Sequence, residues 1–317
     1  MLSYLVGLLI LALFSYNPLV RLLGLAPLGT GPIHRSPRPQ INEELLALES
    51  ANQTNRCIED AYSVHVFSRE PLILYIENFL SLPERKHLLQ IRWVPRCRPR
   101  HASWGAPRRR RTSNQLTSSS TPLFQPSTIT DDGGASTHRD STVRDSDVAL
   151  IPRSDVVRCI EDRARALQGW REEVWVERLR VQRYGQNGHY SHHFDWSPSR
   201  GGWGRVSSFM VWVDDGDGEL RGGGTEFPSL RPKADMRWCQ FVECRQQRST
   251  PEGGEETQDD QQGVGVVFKP LPGNAVYWEN FRSHGSGRGY DETWHAGLPV
   301  EKGVKVGLNI WSWGRIG

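Results

Sequence analysis

The sequence lacks an excess of charge of either sign. Its 39 Lys+Arg stand against 36 Asp+Glu, a net charge of +3 over 317 residues. That balance gives no global field to attract a polyanion, so nucleic-acid binding would need a local basic patch. It also lacks the cysteine spacing of a zinc site. Cys57, Cys97, Cys159, Cys239 and Cys244 are an odd set with no CxxC pair, which permits at most two disulfides and excludes a stapled mini-protein. Hydrophobic residues make up only 37%, but 31 glycines bring the chain close to the roughly 45–50% of globular proteins, so wholesale disorder is excluded. The length suits one large domain or two small ones.

The chain begins with residues 1–20, which carry no charged side chain and have about the length of a bilayer-spanning helix. The segment reads as a membrane anchor or a signal peptide. With no basic start and no good small-x-small cleavage site, the anchor is favoured. Arg21, Arg35 and Arg38 follow it, and a positive-inside count alone would keep that side cytoplasmic. Residues 21–70 read as a linker and N-terminal extension, broken by prolines between 26 and 40. A strand is predicted at 72–76 and a helix at 84–91 behind an N-cap at Ser81. Residues 93–120 have no period of 2 or 3.6. Despite the arginine run 108–111, they read as a disordered surface insertion, and no nucleic-acid partner is expected.

Further on, Val157, Ile160, Ala164 and Leu167 share one face of a helix predicted over 156–168. Strands are predicted at 174–184, 206–213, 265–268, 274–278 and 304–311, with a polar loop at 245–262. Many strands after few helices imply a mostly β fold with flanking helices. The most economical form is a double-stranded β-helix, or jelly roll, over 71–317, preceded by the N-terminal transmembrane or signal-anchor helix.

The chemistry centres on His193-Phe194-Asp195 and, about a hundred positions later, His295. In a strand, residues i and i+2 project from one face, so His193 and Asp195 can present an imidazole and a carboxylate to one ion. Two imidazoles and a carboxylate on one side of a metal form the facial triad of non-haem Fe(II) oxygenases. His189 and His192 are ligands by type as well, and only the i, i+2 relation favours His193.

The run from His295 through Gly297, Pro299-Val300 and Lys305 to Trp311 extends this pattern, with Lys305 ten positions beyond His295. So do the Tyr184-to-Asp195 approach, Gly223-Gly224-Thr225-Glu226-Phe227-Pro228, the turn-and-strand from Lys269 to Trp278, and Ile76-Glu77-Asn78-Phe79-Leu80-Ser81. In this order the motifs resemble the prolyl 4-hydroxylase alpha-subunit type of Fe(II)/2-oxoglutarate-dependent dioxygenase, over roughly 71–311.

The resemblance implies that His193, Asp195 and His295 hold Fe(II), and that Lys305 pairs with the far carboxylate of 2-oxoglutarate. It implies that Tyr184 hydrogen-bonds the same carboxylate, with Thr225 and Trp311 lining that pocket. The implied reaction hydroxylates peptidyl proline, as a procollagen-proline 4-dioxygenase does, while 2-oxoglutarate and O2 become succinate and CO2. L-ascorbate would rescue oxidised iron, and no serine or cysteine nucleophile is needed. The expected partner is a peptide or protein containing proline. The expected setting is the endoplasmic reticulum or another endomembrane, with secretion as the alternative. The same chemistry on a small peptide or secondary metabolite, and a non-catalytic jelly-roll binding module, are the competing readings.

Overall fold

Two-residue periodicity sorts the side chains of this chain into layers. The computed structural model describes residues 36–48 apart from 41 and 43, Cys57, 61–90, 124–198 apart from 132–135, 201–244 apart from 217, and 265–316 apart from 284 and 285. In chain order the strands are β1 (Ser63–Arg69), β2 (Leu72–Glu77), β3 (Gln125–Pro126), β4 (Ile129–Asp131), β5 (Ser136–His138), β6 (Arg144–Asp145), β7 (Asp147–Leu150), β8 (Val174–Val176), β9 (Arg180–Tyr184), β10 (His189–His193), β11 (Trp203–Asp214), β12 (Arg221–Gly222), β13 (Thr225–Phe227), β14 (Val266–Phe268), β15 (Ala275–Glu279), β16 (His295–Gly297), β17 (Val300–Lys302) and β18 (Lys305–Arg315).

A nine-stranded antiparallel sheet runs β1-β2-β15-β11-β18-β9-β7-β3, with β8 also paired to β18. A five-stranded sheet runs β14-β13-β16-β10-β6. On β11, Phe209, Val211 and Val213 face one side, and Met210 and Trp212 face the other. The first row packs with Leu74, Ile76, Leu308 and Ile310 beneath the two helices. The second row packs with Tyr75 and Trp278 against Phe227 and Phe268 of the small sheet. The fold is therefore mostly β with few helices: two antiparallel sheets enclose one core, and helices cover the outer face of the larger. That arrangement is the one expected of a jelly roll.

The helix Leu82–Leu89 starts where the Glu84 carboxylate accepts from the Ser81 backbone at 2.8 Å and its hydroxyl at 2.9 Å. The helix Asp155–Leu167 begins at Ser154, whose hydroxyl accepts from Val157 N–H, and it buries Val157, Ile160 and Ala164 as its spacing predicts. Buried Arg163 and Glu84, 2.8 Å apart, join the two helices.

The strand predicted over 174–184 is two strands. Glu177 N–H still donates to Trp311 O of β18 at 2.7 Å, but at Arg178 the chain turns to the N-terminal segment, where Arg178 N–H donates to Leu45 O at 2.7 Å and Ala47 N–H to Val176 O at 2.8 Å. Part of the expected linker thus docks against the large sheet, where Trp203 Nε1 also donates to Ser36 O. Cys57 bonds Cys159 in the second helix, and Cys239 bonds Cys244. Cys97, the anchor segment 1–20, the insertion 93–120 and nearly all of the loop 245–262 lie outside the described residues. Among the described residues, no helix is long and apolar enough to cross a membrane.

Candidate metal and cosubstrate site

The small sheet brings the two histidines together by register. His193 ends β10, His295 opens β16, and the two residues are directly paired. Their ring centroids lie 4.4 Å apart. Asp195 lies two residues past the end of β10, so it does not share a strand face with His193 as the sequence spacing suggests. Two other contacts place it instead. Arg205 Nη1 donates to its backbone oxygen at 3.1 Å, and Trp311 Nε1 donates to Oδ2 at 2.9 Å.

The resulting cluster is tight. His193 Nε2 is 3.6 Å from Asp195 Oδ1, His295 Nε2 is 3.9 Å from Oδ2, and the three ligand atoms lie within 4.8 Å of one another. Each Nδ1 faces a backbone carbonyl at 2.8 Å, Ser191 O for His193 and Thr293 O for His295. A carbonyl only accepts, so both Nδ1 atoms carry a proton, and in the neutral rings a metal requires both Nε2 lone pairs are free for a ligand. His189 and His192 are turned elsewhere, to Asn187 O and to Glu226.

Electrostatics prepare the same donors. Burial, with the His193 imidazole beside it, pushes His295 down to about 4 and so keeps it neutral. The ring sits between Phe227, stacked at 5.4 Å, and Trp278, edge-on at 4.8 Å. Burial disfavours the Asp195 carboxylate, but the neighbouring imidazoles of His193 and His295 and the Arg205 guanidinium outweigh it and hold the group well below the usual range. Two neutral imidazoles and one anionic carboxylate fit a divalent first-row metal with open positions.

The other end of the cavity is built for an anion. Lys305, the first residue of β18, is 1% exposed. Its ammonium donates to Gly223 O at 2.7 Å and lies 4.5 Å from the Tyr184 ring centroid. Gly223 adopts φ +73°, and a Cβ there would come within 3.3 Å of Lys305 Cδ, so glycine makes room for the side chain. Among the described residues no carboxylate pairs with Lys305, and burial pushes its ammonium down to about 7. Gln182 adds a second donor. Its Oε1 accepts from the Tyr184 hydroxyl at 2.5 Å, while its buried Nε2 has no partner. Thr225, Asn309 and Gly297 complete that wall. An orphaned amide and an unpaired buried ammonium fit a carboxylate.

The predicted residues thus fall into two groups. Lys305 and Thr225 line the anion end of the cavity. Tyr184 also lines it, but its hydroxyl is directed to Gln182. Trp311 is not in that wall; it orients the Asp195 carboxylate at the metal end, beneath Arg205, whose guanidinium carbon lies 4.0 Å from the indole centroid. Sequence reasoning missed Gln182 and Asn309. Both were accessible, because they share strand parity with Tyr184 and Lys305. It also missed Arg205 and Arg144, which no short motif marks.

Residues 179–313 match the model of the 2OG-Fe(II) oxygenase superfamily. Among solved structures, the chain is similar to a viral collagen prolyl hydroxylase from Paramecium bursaria Chlorella virus-1 in its 2-oxoglutarate complex, at 18% identity and TM-score 0.45 over 76% of this chain and 95% of that one. It is also similar to a prolyl hydroxylase from Trichoplax adhaerens in complex with a hypoxia inducible factor peptide fragment, at 12% identity and TM-score 0.42 over 76% of this chain and 83% of that one. A Pseudomonas putida prolyl-4-hydroxylase matches at 16% identity and TM-score 0.35, over 56% of this chain and 76% of that one.

Proposed function

We propose that this chain, which carries a 2OG-Fe(II) oxygenase domain over residues 179–313 and is a 2-oxoglutarate-dependent dioxygenase, hydroxylates prolyl residues in a peptide or protein. The observation that carries the reading is the division of the cavity between a facial triad and a buried, unpaired Lys305. The prolyl substrate is supported by the sequence motifs and by the surroundings of the triad. Tyr190 stacks on His193 at 3.7 Å, and Trp311 holds Asp195, so aromatic surface borders the metal position where an apolar pyrrolidine ring would rest.

When bound, Fe(II) supplies the redox chemistry that couples O2 and 2-oxoglutarate to C–H hydroxylation, releasing succinate and CO2. The protein supplies the rest. His193, Asp195 and His295 would hold the metal. Lys305 and Gln182 would hold the remote carboxylate of the cosubstrate, with Thr225 beside them, and so orient its other end toward the metal. Phe227, Trp278 and Met210 keep water from the inner wall. Ascorbate as the reductant belongs to the same proposal. So does an endomembrane or secreted setting, which the two disulfides support. Succinate release that depends on a proline-rich peptide tests the reading, whereas coupling only to a free small molecule would refute it.

Two consequences concern the anion end. Gln182→Leu removes the orphaned donor at similar volume, and the KM for 2-oxoglutarate should rise about 10–100-fold with kcat little changed, as for loss of one hydrogen bond to a charged group. An unchanged KM would remove Gln182 from the site. The second consequence is a pH dependence. Lys305 is near 7 in the empty fold against an ordinary 10.5, so between those values the unfolded chain holds more protons and the apoprotein gains stability as pH rises. A bound carboxylate restores the ammonium, so above pH about 7 binding takes up a proton and affinity should fall up to about tenfold per pH unit. Calorimetry in buffers of different ionisation enthalpy checks this, and a flat affinity between pH 7 and 9 would contradict it.

A further inference from the structure

The face that holds Tyr184 and Gln182 continues along β9 to Arg180, the next residue of the same parity. Arg180 is half-buried, and its guanidinium has no hydrogen-bond acceptor or ion pair within reach among the described residues. Its guanidinium carbon lies 5.7 Å from the Trp311 ring centroid, and Trp311 is the residue bonded to the metal-site carboxylate. Arg180 also walls a groove whose apolar side is Pro39, Leu45 and Trp313 and whose polar side adds Glu177 and Arg205. The groove therefore opens one indole away from the metal position.

The charges around that opening do not balance. Arg205 is answered by Glu177 at 2.8 Å. Arg144, 8% exposed, has neutral partners, the Ser146 hydroxyl at 3.3 Å and the Tyr184 hydroxyl, and its guanidinium carbon lies 4.4 Å from the Tyr190 centroid. Burial disfavours the Arg180 charge, Glu177 favours it, and Arg205 and Arg144 oppose it. A divalent metal and a dicarboxylate bring equal and opposite charge, and the dicarboxylate answers Lys305. Arg144 and Arg180 then remain without a carboxylate, Arg180 beside Trp311 and Arg144 beside Tyr190, the two aromatic residues that border the metal position. A half-buried arginine of this kind is completed by a planar, bidentate acceptor.

We infer that the substrate chain carries an acidic residue close to the reacting residue, and that Arg180 receives its carboxylate in the groove between Pro39, Leu45 and Trp313. Arg144 adds long-range attraction from the opposite side of Tyr190. The substrate class is then an acidic proline-containing peptide. This inference rests on the peptide-hydroxylase reading above.

The test uses the iron- and 2-oxoglutarate-loaded full chain with proline peptides that differ at one residue, Glu, Gln or Lys, scanned through the positions flanking the proline. The best Glu peptide should exceed its Lys counterpart in kcat/KM by about tenfold or more, and the ratio should shrink with added salt. Arg180→Lys should keep the preference, Arg180→Gln should erase it, and Arg180→Glu should invert it. Equal kcat/KM for the Glu and Lys peptides in the natural chain, or a preference that survives Arg180→Gln, would overturn the inference and leave prolyl hydroxylation standing. Failure of every proline peptide, in enzyme that binds 2-oxoglutarate in an iron-dependent manner, would overturn the peptide reading and this inference together.

Discussion

His193→Ala removes iron-dependent turnover and leaves the chain folded. Loss of an outer partner of a metal ligand costs roughly 10–100-fold, so loss of the ligand itself should lower succinate formation by more than about 100-fold. His193 is the cleanest of the three positions to test. Its side chain is 20% exposed at the edge of the cavity, so truncation opens little new void. His295, 6% exposed between Phe227 and Trp278, would confound a lost ligand with a lost core contact. Truncating Asp195 would leave Trp311 Nε1 without its acceptor and remove the carboxylate 3.8 Å from Arg205. The expected outcome is an unchanged Tm for the apoprotein, iron retention reduced to background and succinate formation near that of free iron. Turnover within a few-fold of the natural chain would show that the metal is held elsewhere.

Lys305→Met has the second large effect, and two measurements should move in opposite directions. Loss of a charge-assisted bond in a buried site is worth about 1.5–3 kcal/mol, which weakens 2-oxoglutarate binding about 10–100-fold. In the empty protein, however, the ammonium has the Gly223 carbonyl as its hydrogen-bond partner and no counter-charge among the described residues. Methionine removes a desolvated, uncompensated charge at similar length, so the apoprotein should be at least as stable as the natural chain. A lysine with a purely structural role predicts the reverse: lower Tm and unaltered cosubstrate affinity. Measuring Tm and 2-oxoglutarate affinity on one preparation separates the two roles.

The legible parts of this fold were those in which a local period coincides with burial. The second helix was placed within one residue at each end, because Val157, Ile160 and Ala164 face the sheet and Ser154 caps the start. Strands β2, β11, β14, β15 and β18 were found near their observed limits, since their apolar rows face the helices or the small sheet. Strand β1 was missed. Ser63, His65 and Ser68 dilute its pattern at a sheet edge, where β2 is its one partner among the described residues. The short strands between residues 125 and 150 were missed for a similar reason: most have two to four residues, too few to show a period.

The site divides the same way. The His193–Asp195 spacing and the Lys305 offset from His295 were read directly. The physical cause of Asp195's position was not legible, because it depends on Arg205 and Trp311 reaching across from the large sheet. For the same reason Trp311 was expected at the cosubstrate end and lies at the metal end. Long-range side-chain bonds leave no trace in local sequence, whereas strand parity does, and parity would have placed Gln182 and Arg180 beside Tyr184.

The most direct test of the account is an anaerobic titration of 2-oxoglutarate into the full chain with and without Fe(II). The account predicts one cosubstrate per chain, bound more tightly when Fe(II) is present, with the iron-dependent gain lost in His193→Ala and the remaining affinity lost in Lys305→Met. Equal affinity with and without iron, or natural-chain behaviour in both variants, would contradict it.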